Sequence, residues 1–103
     1  SSVFLDEPLV LNLECPRLLF EGYDVALHCH AIGNPPPNIT WIWKDTGDVL
    51  GTKGKLTLAA VNRKEAGTYL CSAWNGIGNS SIRTCSLDFY RKQFIVINKE
   101  SSL

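Results

Sequence analysis

Apolar residues recur at every second position through much of this chain, and helical spacing is rare. Leu9, Leu11 and Leu13 alternate up to Cys15, where Pro16 interrupts the strand because it has no amide hydrogen to give a ladder. Gly22 makes a turn. Val25, Leu27, Cys29 and Ala31 then share one face of a strand, with Ala26, His28 and His30 on the other. The run GNPPPN at 33–38 excludes both a helix and a central strand. Ile39 to Lys44 is a strand containing Trp41, and DTGD at 45–48 is a turn. Leu56 and Leu58 alternate in a further strand, while Tyr69, Cys71 and Ala73 share an inward face. NGIGN turns the chain and residues 80–90 return as a final strand. Short strands with regular turns predict an all-β, two-sheet sandwich.

Composition narrows what such a sandwich does. At 103 residues, 45% hydrophobic and 19% charged, the chain has the length and content of one globular domain. Its formal net charge is zero, which argues against general attraction to nucleic acid or an acidic membrane. No apolar run approaches a membrane span, so any membrane link would run through a parent protein. The N-terminus lacks the pattern of a signal peptide, and the chain reads as a piece of something longer. Four cysteines suggest two disulfides or a zinc site, and no Cys-x-x-Cys pair is present for the usual zinc knuckle. Asn38-Ile39-Thr40 and Asn79-Ser80-Ser81 both fit the N-glycosylation rule. Two sequons beside an even cysteine count point to an extracellular origin.

Several coupled spacings carry a resemblance. FEGYDVALHC resembles the Gly-x-x-Val-x-Leu-x-Cys entry to strand B of immunoglobulin-superfamily domains, and NITW resembles their strand C. LTLAAVNRKEAGTYLCSAWNGIG resembles their Leu-x-Leu, acidic-x-Gly-x-Tyr-x-Cys and Cys-x-Ala-x-Asn-x-x-Gly series. The resemblance covers roughly residues 8–90 and implies a Greek-key sandwich of intermediate or C2 type. The short span from Trp41 to Leu56 implies an abbreviated C′–D region. It also implies a Cys29–Cys71 bridge between the sheets, with Trp41 packed on it and Tyr69 as a tyrosine corner. Gly67 leaves room for that corner. In this family the A′ strand runs beside strand G, which brings the remaining Cys15 and Cys85 together. Trp43 shares the parity of Trp41 and faces inward nearer the edge. Trp41, Leu27, Leu58 and Tyr69 are then expected around the Cys29–Cys71 bridge. CPRLLFEG and GNPPP also resemble membrane-proximal modules of intercellular adhesion molecules, although Trp41 and the extra cysteine at 85 depart from that pattern.

Few residues suggest chemistry. His28 and His30 point outward two apart on a strand, a conceivable metal pair, but no third ligand is identifiable, and two surface histidines is the simpler reading. No nucleophile or phosphate-loop motif occurs, so neither an enzyme nor a cofactor is expected. Asp45 and Asp48 fit ordinary turn chemistry; adhesion molecules of this family also present an acid from this loop to an integrin's cation. Glycans on Asn38 and Asn79 would make one end of the sandwich hydrophilic.

With Trp41 and Cys71 inward, Ile42, Leu70 and Trp74 point outward on adjacent strands. Isolated apolar residues are common on surfaces, whereas a contiguous group marks an interface. The expected function is protein recognition, homophilic or heterophilic, by an extracellular immunoglobulin-like module of an adhesion protein or receptor. A ligand-binding domain of a cytokine or growth-factor receptor, or a structural spacer, is the alternative. Residues 1–7, including Asp6 and Glu7, read as a polar linker, and 91–103 as a linker or the start of a next module.

Overall fold

A computed structural model describes residues 4–91. Eight strands form two sheets: β1 (Asp6–Glu14), β2 (Leu18–Leu19), β3 (Val25–Asn34), β4 (Asn38–Trp43), β5 (Val49–Gly51), β6 (Lys55–Leu58), β7 (Gly67–Trp74) and β8 (Ser81–Phe89). One sheet has the order β1-β3-β6 and the other β2-β8-β7-β4-β5. The two inner faces enclose Leu27, Cys29, Trp41, Val61, Tyr69 and Cys71, with Val10, Leu19, Leu87 and Phe89 extending this core. The expected two-sheet sandwich is therefore the observed architecture.

The chain crosses between sheets at Pro16. β1 belongs to the three-stranded sheet, and β2 joins the edge of the other, parallel to β8, with Leu18 opposite Asp88. A second crossing is shorter. β5 lies in the five-stranded sheet and β6 in the three-stranded one, with only residues 52–54 between them, so no strand D forms there. Gly54 makes this crossing work. Its carbonyl accepts the Cys29 amide at 2.8 Å and the Trp41 indole N–H at 3.3 Å. A Cβ on Gly54 would lie 2.7 Å from the Cys29 carbonyl oxygen, closer than side chains approach a backbone atom.

Three expectations need correction. The alternation of Leu9, Leu11 and Leu13 does not define one face of the first strand: Leu9 and Leu11 are exposed and Val10 is buried. The register with β3 slips between Val10 and Asn12, which reverses the parity and turns Leu13 back toward the core. Leu58 is only half-buried, and Leu56 takes the core place, because Leu56 pairs with Leu27 while Leu58 pairs with Val25 near the open end. Asp6 and Glu7 are not linker residues. Both belong to β1, and a Glu7 carboxylate oxygen accepts the Asn79 amide at 3.2 Å. Of the C-terminal stretch expected to be a linker, only Arg91 falls among the described residues.

Candidate functional site

The cysteines form the rigid frame behind the site. Cys29 is bonded to Cys71 with Cα atoms 6.5 Å apart, and Cys15 to Cys85 at 6.4 Å. Trp41 is fully buried, opposite Cys71 in the β4–β7 pairing. Trp43 is half-buried and stands edge-on to the Tyr69 ring with centroids 5.0 Å apart. The Tyr69 hydroxyl donates to the backbone carbonyl of Glu65 at 2.7 Å. Burial, with a smaller contribution from the Glu65 charge, pushes the Tyr69 pKa up to about 12. Gly67 lies under the Trp43 ring, which would collide with any side chain at that position.

With these residues inward, the alternate positions of β4, β7 and β8 form the outward face of the five-stranded sheet. Ile42 and Leu70 are direct cross-strand neighbours. Val49 on β5 stands opposite Ile42 and extends the row to three adjacent strands. Ile42 and Leu70 are half-buried and Val49 is 61% exposed. Trp74 does not join this row. It lies four residues beyond Leu70 on β7, about 13 Å along the strand, with Ser72 between. The exposed Ile82, opposite Ser72, sits on the diagonal between Leu70 and Trp74. Thr40, Thr68, Ser72, Thr84 and Ser86 fill the remaining outward positions; charge enters with Lys44, exposed just past β4 with its amide on the Thr68 carbonyl, and with Asp88 beyond Ser86.

The sequence reading missed Val49 and Ile82. Val49 follows a turn and has no alternating neighbours of its own. Ile82 was placed in the last strand, but its pairing register was not legible. Also missed was an aromatic group at the opposite end, where Phe20 lies 5.4 Å from Tyr90 and 6.4 Å from Tyr23 between ring centroids.

The remaining candidates fall into place separately. Asn38 begins β4 directly opposite Trp74, and both side chains are exposed. Asn79 lies in the turn between β7 and β8, close to Glu7. Asn75 donates to the carbonyls of Asp6 and Pro35, at 2.7 and 2.9 Å, and so ties the loops at that end together. His28 and His30 are exposed on β3, across from Glu14 and Asn12, on the other sheet. Among the described residues, no group of three potential metal ligands forms. Asp45 and Asp48 are exposed around a turn in which Trp43 donates to the Asp48 carbonyl and Gly47 to the Trp43 carbonyl. A groove of about 260 Å³ opens between Trp43, Leu50, Leu58 and Tyr69.

The immunoglobulin-domain family profile matches residues 11–75, which include both core cysteines, Trp41 and Tyr69. The chain belongs to the immunoglobulin-domain family. Rat Kin of IRRE-like protein 1 is 46% identical to this domain over 66 residues, covering 64% of the chain and 8% of the rat protein. Mouse intercellular adhesion molecule 5 is 40% identical over 75 residues, covering 71% of the chain and 8% of that protein. Among solved structures, a Dpr2 Ig1-Ig2 complex with DIP-Theta Ig1-Ig3 contains a chain with a TM-score of 0.76 and 31% identity. That match covers 84% of this domain and 33% of the neighbour. The domain thus spans only a small part of these curated relatives.

Proposed function

We propose that this immunoglobulin domain is a non-enzymatic extracellular recognition module of a cell-surface protein, and that the outward face of its five-stranded sheet meets the partner. The Val49–Ile42–Leu70 row is the observation that carries this reading. It is a contiguous apolar stripe over three strands, on a face whose other positions are mostly threonine and serine. Contiguous exposed apolar surface costs solvation unless it is covered, and flat sheet faces are suited to covering one another. The partner that fits is another immunoglobulin-like domain with a similarly flat, weakly charged sheet, either a second copy or a different chain. With so little charge on this face, shape and hydroxyl hydrogen bonds set the register of such a contact more than electrostatic steering. The Dpr2–DIP-Theta structure joins immunoglobulin modules of two proteins, which supports a partner of this class. Two disulfides agree with an oxidising extracellular setting.

The test is a binding screen with the domain displayed as a multimer. The panel holds immunoglobulin-superfamily ectodomains, soluble cytokines and growth factors, and the domain itself. The expected result is binding to at least one member that Leu70→Arg weakens by tenfold or more, as for a central interface residue. Unchanged binding by the variant removes this face from the account. Capture of only a soluble cytokine or growth factor favours the receptor-domain reading, and binding to nothing favours the spacer.

A further inference from the structure

At the far end of the same sheet face, a glycosylation sequon and an unpartnered indole are placed opposite one another. Asn38 and Trp74 are register partners in the antiparallel pairing of β4 with β7. Both occupy outward positions, since Trp41, Cys71 and Ala73 point into the core. Directly opposed residues of an antiparallel pair hold their Cβ atoms about 4.5–5.5 Å apart. Trp74 is 44% exposed, a large value for a side chain of this size, and among the described residues it makes no aromatic contact. Asn38 is also exposed and is followed by Ile39 and Thr40, so the residue requirement for N-glycosylation is met.

We propose that Asn38 carries an N-linked glycan whose first N-acetylglucosamine packs against the Trp74 indole. The covalent step is transfer of an oligosaccharide from a lipid-diphosphate donor. The bond between Asn38 Nδ2 and sugar C1 forms as the bond from C1 to the diphosphate oxygen breaks, and one amide proton leaves as the lipid diphosphate departs. A β-linked N-acetylglucosamine presents the axial hydrogens of C1, C3 and C5 together on one apolar face. Those weakly positive hydrogens suit the negative face of an indole ring. The register puts this contact within reach without backbone movement, because the sugar's C1 lies only three bonds beyond the Asn38 Cβ.

Asn79 provides an internal contrast. Its sequon is equally complete, but its backbone amide is held by Glu7, and its sequon hydroxyl, Ser81 Oγ, accepts the Val10 amide at 3.0 Å. No aromatic contact is formed by the residues of that turn among the described residues. A glycan there extends into solvent without a platform.

The inference shares a sheet face with the recognition reading and narrows it. Sugar over Trp74 leaves the Val49–Ile42–Leu70 row open and takes the indole out of any protein contact. It does not depend on that reading, because its readouts involve no partner.

The test uses the protein secreted from mammalian cells, as wild type, Trp74→Ala, Asn38→Gln and Asn79→Gln. Glycopeptide mass spectrometry should find Asn38 occupied. After trimming to the first sugar, magnetisation transfer between the Trp74 ring protons and that sugar's axial protons should be visible by NMR. Complete removal of the Asn38 glycan should lower the melting temperature by roughly 3–6 °C, the scale of a modest contact in a domain this small. In Trp74→Ala the same removal should change it by no more than about 1 °C. Loss of the Asn79 glycan should have equal effects with and without Trp74. An unoccupied Asn38 overturns the proposal, as do absent sugar–indole contacts. Equal destabilisation in the wild type and Trp74→Ala overturns the packing.

Discussion

Trp41 donates its indole N–H to the same Gly54 carbonyl that accepts the Cys29 amide, so one peptide group joins strand β3 to β4 across the interior. This relationship stands where a strand D is missing. It ties the short 52–54 crossing to the core through the Gly54 carbonyl.

Trp41→Ala therefore removes both a fully buried indole and that hydrogen bond, and should cost about 3–5 kcal/mol. Trp43→Ala should cost less, since Trp43 is half-buried and bears mainly on Tyr69 and Gly67. Gly54→Ala should cost about 1–3 kcal/mol through backbone displacement, despite adding only a methyl group. Denaturant unfolding of the three variants checks the order; a larger loss for Trp43→Ala than for Trp41→Ala would place the core tryptophan wrongly.

The Cys15–Cys85 bridge continues the register of the parallel β2–β8 pair. Its sequence separation is 70, and Leu18 is opposite Asp88, 88 − 18 = 70. The bridge thus pins the crossing of the first strand without distorting the ladder. Replacing both cysteines by alanine should lower stability by about 2–5 kcal/mol while preserving the β4–β7–β8 sheet. Amide exchange should then quicken first around Leu18 and Leu19. Uniform loss of protection across β7 would show that the bridge supports the whole sandwich instead.

Tyr69 predicts an alkaline limit. Its phenol ionises at about 12 in the folded domain against about 10 in the unfolded chain. Between these values the unfolded state has released a proton that the folded state keeps, so stability falls as pH rises. The contribution is complete below pH 10 and lost on passing through about 12. Tyr69→Phe should be less stable at neutral pH, having lost the bond to the Glu65 carbonyl, and should show a flatter decline above pH 10. Parallel slopes for the two proteins in short-exposure unfolding measurements would contradict this.

Much of the frame was legible because its signals are local and coupled. Alternation around Leu27, Cys29, Tyr69 and Cys71 sets the inward face, and Pro16 and the Pro35–Pro37 run mark breaks between strands, although the loop expected at 33–38 is shorter than that: Gly33 and Asn34 end β3 and Asn38 begins β4. What was hidden depends on register. The slip between Val10 and Asn12 reverses a face without leaving any mark in composition. Parity places Ile42, Leu70 and Trp74 on one side, but only the pairing shows that Ile42 and Leu70 are cross-strand neighbours while Trp74 stands opposite Asn38. Val49 and Ile82 join the apolar face through their cross-strand positions, which no local pattern encodes.

The central claim is that the Val49–Ile42–Leu70 row contacts a partner domain. The most direct measurement is an NMR footprint of the isotopically labelled domain, titrated with the ectodomain that binds it in the panel, or raised in concentration if it binds itself. The account predicts that shifts and amide protection centre on Val49, Ile42, Leu70 and their neighbours Thr84 and Ile82. A footprint centred instead on the three-stranded sheet, around His28, His30 and Asn12, would contradict it.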